Sequence, residues 1–416
     1  MIALALLTLA IWIYLLFGRG FFWLVPFISP LRPIGAEGAS ESERVRSGVT
    51  GLKGHLTLPV ADATGPLPLP RFAAERASWP SVVAVIPARN EAAVVGRAIA
   101  SLLAQDYPGP FRIVLVDDHS SDGTAEAARQ AAGAQVDRVA IVAARPLLPG
   151  WTGKLWALSE GVRQIAEPPA LYLFTDADIA HHPSNLSELV ARLDGERRDL
   201  VSLMVKLRCE SFAERFLIPP FVFFFAMLYP FSWSNDSRRA TAAAAGGCIL
   251  IRRNAYERIG GWESLKSELI DDCALARAVK RGGSIWLGLT QRTLSLRAYP
   301  HIGDIWNMVA RTAYTQLGYS PLLLAGTALG MVVTYLLPPA LLLSGGGSAA
   351  IGALSWTAMA AAYAPMLRFY GLSLAWAPLL PAAASVYLAA TVASAWRHWR
   401  GRGGEWKGRV QWQNRC

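Results

Sequence analysis

The sequence predicts an α/β fold. A mostly parallel sheet is covered by helices on both faces and flanked, at both ends of the chain, by apolar helices suited to a membrane. Three observations predict it. Short apolar runs alternate with helically spaced segments from residue 81 to about residue 206, the pattern of a parallel sheet with crossover helices. Acidic residues stand at the ends of several of those runs, where such sheets bind ligands. The apolar surplus, 53% hydrophobic against 17% charged, is concentrated near the termini.

Met1 to Phe17 contains no charged residue, and Phe21 to Ile28 continues the apolar character. A cleaved signal peptide would carry a basic leading region and a small-x-small cleavage site. Neither is present, so residues 1–28 are expected to be an N-terminal membrane anchor. Residues 29–79 are rich in Pro, Gly, Ser and charge and read as a linker. The character changes at Ser81. SVVAVIPA, FRIVLVDD, RVAIVAA, ALYLFTDA and DLVSLMVKL read as strands. Between them, EAAVVGRAIASLLAQ, TAEAARQAA, KLWALSEGVRQIA and SNLSELVARL carry helical spacing. These belong to a catalytic unit over 80–318.

Within that unit, FLIPPFVFFFAMLYPF is short for a span and interrupted by proline. It predicts an interfacial or re-entrant element over 211–232, with a buried hydrophobic helix as the alternative. From Pro321 to Val392 the only charge is Arg368. A hydrocarbon core takes roughly 20 apolar residues per helix, so 319–396 has room for two or three spans, near 321–344, 349–366 and 372–395. A basic tail, 397–416, follows. With the catalytic unit in the cytoplasm, two C-terminal spans return this tail there and three leave it outside. The basic flank favours two; the hydrophobic length favours three.

Lys plus Arg exceed Asp plus Glu by 40 to 30, a net charge of +10. The basic residues are dispersed or sit beside apolar segments, which excludes nucleic acid as a partner and fits anionic lipid headgroups. The four cysteines show no C-x-x-C spacing, so no zinc site or disulfide framework is expected, in keeping with a reducing compartment.

The chemistry concentrates in LYLFTDADIAHH. Asp176 and Asp178 stand two apart at the end of an apolar run, and alternate strand residues share a face. Two like charges held together call for a cation between them, and a divalent metal bound by hard oxygens meets that need. An isolated D-x-D is more often a solvated turn. Here, however, Arg89-Asn90-Glu91 follows the first strand and Asp117-Asp118 closes the second, so three acidic ends meet at the ligand edge.

VAVIPARNE, VDDHSSDGT, GKLWAL, TDAD and LIDDCAL, in that order over roughly residues 81–315, resemble the inverting glycosyltransferases of family 2. That family has the Rossmann-like GT-A fold. GWTGKLWAL, AAAAGGCIL, LIDDCALAR and RTAYTQL are similar to the bacterial hopanoid-associated members. The resemblance implies transfer of a sugar from a nucleotide-diphosphate donor, UDP-linked by family default, with Mg2+ or Mn2+ held by Asp178 and Asp176. It implies that Pro87, Arg89 and Glu91 line the nucleotide pocket. Asp118 would accept hydrogen bonds from the base, Asp117 would shape the same loop, and Lys154 would approach base or phosphate. It makes Asp272 the general base toward an acceptor hydroxyl, with Asp271 the runner-up; as a structural alternative, one of the pair caps the helix they begin. Gly246 and Gly247 are expected near the donor sugar or acceptor. The Q-x-x-R-W motif of processive synthases is reduced to Arg311 within NMVARTAYTQL. Arg311 would meet the diphosphate, and a single transfer to a lipid acceptor is expected.

His181 and His182 read as surface histidines beside a loop, and His301 as standing near a third metal-ligand position. Alternatives to the transferase are a sugar-phosphate nucleotidyltransferase, which would show a Gly-rich basic loop where PARNE stands, and a membrane scaffold without catalysis. Because nucleotide sugars are made in the cytoplasm, the expected location is the inner membrane with the catalytic unit facing the cytoplasm.

Overall fold

The computed structural model describes residues 1–24 and 79–403, together with two short paired strands, Glu405–Trp406 and Arg409–Val410. Residues 25–78, which hold the end of the expected anchor and nearly all of the expected linker, lie outside the described residues, as does part of the basic tail.

Eight strands form one sheet in the order β3-β2-β1-β4-β7-β6-β8-β5. They are β1 (Val82–Ala88), β2 (Phe111–Asp117), β3 (Val139–Ala143), β4 (Leu171–Phe174), β5 (Ile179–Ala180), β6 (Leu200–Lys206), β7 (Ile249–Arg252) and β8 (Ile285–Ser295). β3, β2, β1 and β4 run parallel, β7 is antiparallel to both its neighbours, and β6 is parallel to β8. β1 is buried along its whole length, as a strand covered on both faces must be. The covering helices include α2 (Ala92–Leu103), α3 (Thr124–Ala132), α4 (Gly153–Arg163) and α5 (Asn185–Gly195).

This topology sends the carboxyl ends of β1, β2, β4, β6 and β8 to one edge. The antiparallel β7 brings its entry loop there as well, because Ile249 pairs with Phe174. Gly161 lets α4 lie close on the sheet: a Cβ there would press into Val85 and come within 2.8 Å of Val116 Cγ2. Both valines are buried strand residues. Gly161→Ala should therefore overpack this face and destabilise by about 1–3 kcal/mol, read as a lowered thermal midpoint of the purified chain.

The FLIPPF segment forms one helix, α6 (Phe212–Leu228), through both Pro219 and Pro220. The expected proline break does not occur. Ser211 and Glu214 form a capping box at its start, and tertiary packing supports the middle: Tyr387 Oη donates to Leu217 O at 2.7 Å, and Phe223 and Phe224 meet Phe22, Tyr335, Tyr363 and Tyr387 edge-on. α7 (Asp271–Lys280) and α8 (Ile302–Gln316) complete the sheet unit.

Among the described residues, three helices are long and apolar enough to cross a membrane: α9 (Pro321–Ser344), α10 (Gly346–Phe369) and α11 (Leu374–Trp399). The N-terminal apolar helix, α1 (Ile2–Gly18), is shorter. It packs against α9 and α10, with Trp12 Nε1 donating to Thr334 O at 2.9 Å and Thr8 Oγ1 3.2 Å from Ser355 Oγ. Ile2 lies beside Gly347, at the start of α10. The other end of this bundle meets the sheet unit: Ser232 Oγ donates to Gly20 O, and Gln291 Nε2 donates to Phe369 O at 3.2 Å. α11 behaves differently. Trp376, near its start, meets the rings of Phe212 and Phe216 at a tilt. Near its other end Ser394 Oγ accepts from Tyr314 N at 3.0 Å, and Arg397 Nη2 donates to Asn307 Oδ1 at 2.8 Å. Both ends of α11 therefore touch the sheet unit.

Candidate functional site

The loops after β1 and β2 are stitched together by the polar residues of PARNE and VDDHSSDGT. Asn90 N donates to Ser120 Oγ, Ser121 N to Asn90 Oδ1, Glu91 N to Thr124 Oγ1 and Ala92 N to Asp122 Oδ2, at 2.8–2.9 Å. Asn90 and His119 adopt left-handed backbone, φ 52° and 57°, which asparagine tolerates better than most residues. Asp118 is wholly buried, with Arg89 Nη1 3.7 Å from its Oδ2 and donating to its carbonyl at 2.5 Å. Asp117 Oδ1 accepts from Ser120 N at 3.0 Å.

Beside this loop pair, a cavity of about 500 Å³ opens at the carboxyl edge of the sheet. Its lining brings together Pro87, Glu91, Lys154, Asp176, Asp178, Asp271, Asp272 and Arg311. Arg89, Asp117 and Asp118 stand in the adjoining loop cluster and are not part of that lining. His301, exposed at the start of α8, is also outside it.

β4 ends at Phe174, so Asp176 and Asp178 sit in the following turn rather than on alternate strand positions. The shared-face argument does not apply, although both still reach the cavity. Each meets a different cation. Asp176 Oδ1 is 3.0 Å from Lys154 Nζ, which is also 3.1 Å from Asp271 Oδ2. Asp178 Oδ2 accepts from Arg297 Nε at 2.8 Å, and Arg297 Nη2 donates to Glu91 Oε1 at 2.5 Å. Lys154, in the first turn of α4, is therefore not a solvated lysine. Burial alone would lower its pKa, but Asp176, Asp271 and Asp272 together raise it, so it stays charged.

Asp271 and Asp272 open α7, and Asp272 is held by two backbone donors: Cys273 N at 2.7 Å and Gly246 N at 2.9 Å. A Cβ at Gly246 would lie 3.1 Å from Lys154 Nζ, which the lysine would have to relieve, and at contact distance, 3.5 Å, from Asp272 Oδ2. Burial and the neighbouring Asp271 charge push the Asp272 carboxyl up to about 6, near the operating range of a general base. Asp176 is raised as well, by burial and by repulsion from Asp178 and Asp271, although Lys154 opposes this.

The lining holds the carboxylates Glu91, Asp176, Asp178, Glu268, Asp271, Asp272 and Asp304 against the cations Lys154, Arg297 and Arg311. Seven acids against three bases leave an excess of negative charge. Among the described residues no three His, Cys, Asp or Glu converge as a metal cage. Mg2+ and Mn2+ do not require one, because they commonly take one or two carboxylates, waters and substrate phosphates. The oxygen-rich, charge-unbalanced lining fits such an ion.

Arg297 was not anticipated from the sequence. It is a lone arginine after β8, and its partners are 119 and 206 residues away in the chain. Apolar side chains line the same cavity: Met204 and Val205 of β6, Leu207 just after it, Phe221 and Phe225 from α6 and Met308 from α8.

A model of the glycosyltransferase-like family 2 matches residues 80–287, half of the chain, and the chain belongs to that family. Its mixed, mostly parallel sheet is the Rossmann-like GT-A arrangement. Among curated proteins it is similar to 4,4'-diaponeurosporenoate glycosyltransferases of Staphylococcus aureus. One is 27% identical over 201 residues, 48% of this chain and 51% of the relative, and another is 27% identical over 197 residues, 47% and 50%. The chain thus spans about half the length of the curated relatives it matches. Among solved structures, it resembles a mannosyltransferase from Pyrobaculum calidifontis in complex with GDP-Man and Mn2+, at 20% identity and a TM-score of 0.48, covering 78% of this chain and 88% of that one. It also resembles a glucosyl-3-phosphoglycerate synthase from Mycobacterium tuberculosis in complex with Mg2+ and UDP, at 19% identity and a TM-score of 0.40, covering 57% and 79%.

Proposed function

We propose that this protein is a membrane-bound inverting glycosyltransferase that moves one sugar from a nucleotide-diphosphate donor, a UDP-sugar by family default, to a lipid acceptor of hopanoid type. The observation that carries this reading is the mixed lining of the cavity. It gathers Lys154, Asp176, Asp178, Asp271 and Asp272 together with Phe221 and Phe225 of α6, the helix on which the apolar helices pack. A lipid can lie along α6 with its hydroxyl directed toward the carboxylates.

In this reading Pro87, Glu91 and the adjoining Arg89, Asp117 and Asp118 form the nucleotide end. Asp176 and Asp178 would hold Mg2+ or Mn2+, whose chemistry is to offset the charge that develops on the diphosphate. Lys154 and Arg311 supply further positive charge to the same group. Asp272 takes the proton of the acceptor hydroxyl as that oxygen attacks the anomeric carbon. Asp271 keeps Lys154 in place. The curated relatives are named as glycosyltransferases of 4,4'-diaponeurosporenoate, which supports a lipid-like acceptor here.

The test is a donor screen. Labelled UDP-glucose, UDP-N-acetylglucosamine and GDP-mannose are each presented with Mn2+ and a hopanoid-containing lipid extract to the full chain in membranes. Expected is release of one nucleotide with label entering the organic phase as single-sugar adducts. Incorporation of nucleoside phosphate instead of sugar would point to a nucleotidyltransferase. The pH profile gives an independent check. A base whose pKa is raised to about 6 is protonated below that value and free above it. kcat/KM should therefore rise through about pH 6 to a plateau, and a profile flat through that region would count against Asp272.

The membrane arrangement belongs to the same proposal. The N-terminal helix, α9 and α10 cross the membrane, and α11 returns to the side it left, since both its ends touch the sheet unit. Arg397, Arg400 and Arg402 then share the cytoplasmic side with the catalytic unit, in keeping with the positive-inside tendency. Single cysteines placed at Gly345 and Arg402 test this. An impermeant reagent outside intact cells should label the first and spare the second; labelling at position 402 would overturn the returning helix.

A further inference from the structure

His181 follows the D-x-D turn yet has no part in the chemistry above, and it is buried, at 5% exposure, rather than on the surface. Both ring nitrogens meet polar partners: Nε2 is 2.9 Å from Thr175 Oγ1, and Nδ1 is 3.0 Å from Asn185 Nδ2. Every hydrogen in this chain of contacts can be assigned. A hydroxyl carries one hydrogen, and Thr175 Oγ1 gives its own to the Gly247 carbonyl at 2.7 Å. Toward His181 the Thr175 oxygen must therefore accept, which places the ring proton on Nε2. Nδ1 is left as the acceptor and receives a hydrogen from the Asn185 amide. Asn185 is fixed in turn by Thr293 Oγ1, which donates to its Oδ1 at 3.0 Å. The ring is neutral, as burial alone pulls its pKa down to about 3.

The two ends of this chain sit beside the site. Thr175 immediately precedes Asp176, and Gly247 follows Gly246, whose N–H holds Asp272. A buried hydrogen-bond network with one permitted proton arrangement fixes the spacing of the elements it joins. We propose that His181 is a positioning residue: through Thr175 and Gly247 it sets the distance between the turn carrying Asp176 and the loop that holds Asp272. The proposal rests on the reading of Asp272 as the base.

The test uses the full chain in nanodiscs and whichever sugar nucleotide gives transfer in the donor screen. His181→Leu removes both contacts, whereas His181→Gln can still donate to Thr175. Displacement of reacting groups by about 1 Å can cost 10²-fold. His181→Leu should accordingly lower kcat by about 10–10²-fold with donor affinity nearly unchanged, and His181→Gln should recover most of it. Thr175→Val, which breaks the link without touching the imidazole, should reproduce the Leu loss, and Thr175→Ser should restore turnover. In an Asp272→Asn background the His181→Leu change should add little, because residues acting as one unit are not additive. Several outcomes would overturn the proposal: unchanged kcat per folded molecule in His181→Leu or Thr175→Val, a Gln variant as poor as the Leu variant, loss of donor binding, or full additivity with Asp272→Asn. Failure of the base assignment itself would appear separately, as an active Asp272→Asn single variant.

Discussion

Asp272→Asn should leave the donor nucleotide bound and reduce sugar transfer by about 10²–10⁴-fold, the usual contribution of a positioned base. The geometry explains why the two effects separate. Asp272 is held by Gly246 N and Cys273 N, while Lys154 is paired with Asp176 and Asp271. An asparagine at 272 can keep one carbonyl oxygen toward the Gly246 amide, so the loop and the Lys154 pairing survive. What is lost is the group that takes a proton. Nucleotide binding by calorimetry, with turnover measured on the same sample, reads both halves. The pH limb near 6 should vanish together with the activity. The companion Asp271→Asn removes one of the two partners of Lys154 and should weaken donor binding more than it slows the bound complex. If Asp271→Asn instead abolishes turnover while Asp272→Asn retains it, the pair is assigned in the wrong order.

Much of this site could be read from the chain because the relevant signals are local. Parallel strands announce themselves as apolar runs, and a parallel sheet sends their carboxyl ends to one edge. Glu91 and Asp176 could thus be placed at that edge before any coordinates, and Lys154 and Asp272 followed from the motifs that resemble the family. Arg297 could not be found this way, since nothing around it in SLRAYPH distinguishes it from a surface arginine. Its role exists only because β8 lies beside β6 and delivers residue 297 to the cavity. His181 was misjudged for a related reason. A histidine after a turn is usually exposed, and here α5 folds back so that Asn185 closes over it. The two prolines of α6 mislead in the opposite direction: the local rule predicts a break, and packing against Tyr363 and Tyr387 overrides it. α11 has the length and hydropathy of a span, and its contacts with α6 and α8 near its two ends, on which the proposed return rests, have no signature in its own sequence.

Asp178→Asn should abolish metal-dependent transfer while the fold persists. Asp178 is 6% exposed and shares Arg297 with Glu91. Removing one negative charge from this cluster does not strand an unpaired ion, because Arg297 keeps Glu91 and the asparagine oxygen can still accept from its Nε. The thermal midpoint should therefore shift little, in contrast to Arg297→Met. That change leaves two acids, both largely buried, without their cation and should destabilise the chain clearly. For the metal the change is severe, since a neutral amide is a weaker partner for a hard divalent ion than a carboxylate. The excess of acids over bases in the cavity is the feature that makes it fit an ion, and Asp178 is one of the two acids supplied by the D-x-D turn. Two readouts decide the matter: Mn2+ binding in the presence of donor, followed by electron paramagnetic resonance, and transfer as a function of Mn2+ concentration. Expected is loss of bound-Mn2+ signal and of transfer at all but very high Mn2+. Near-normal Mn2+-dependent turnover in a folded Asp178→Asn variant would reduce Asp178 to a counter-ion for Arg297 and leave Asp176 as the turn's metal-facing carboxylate.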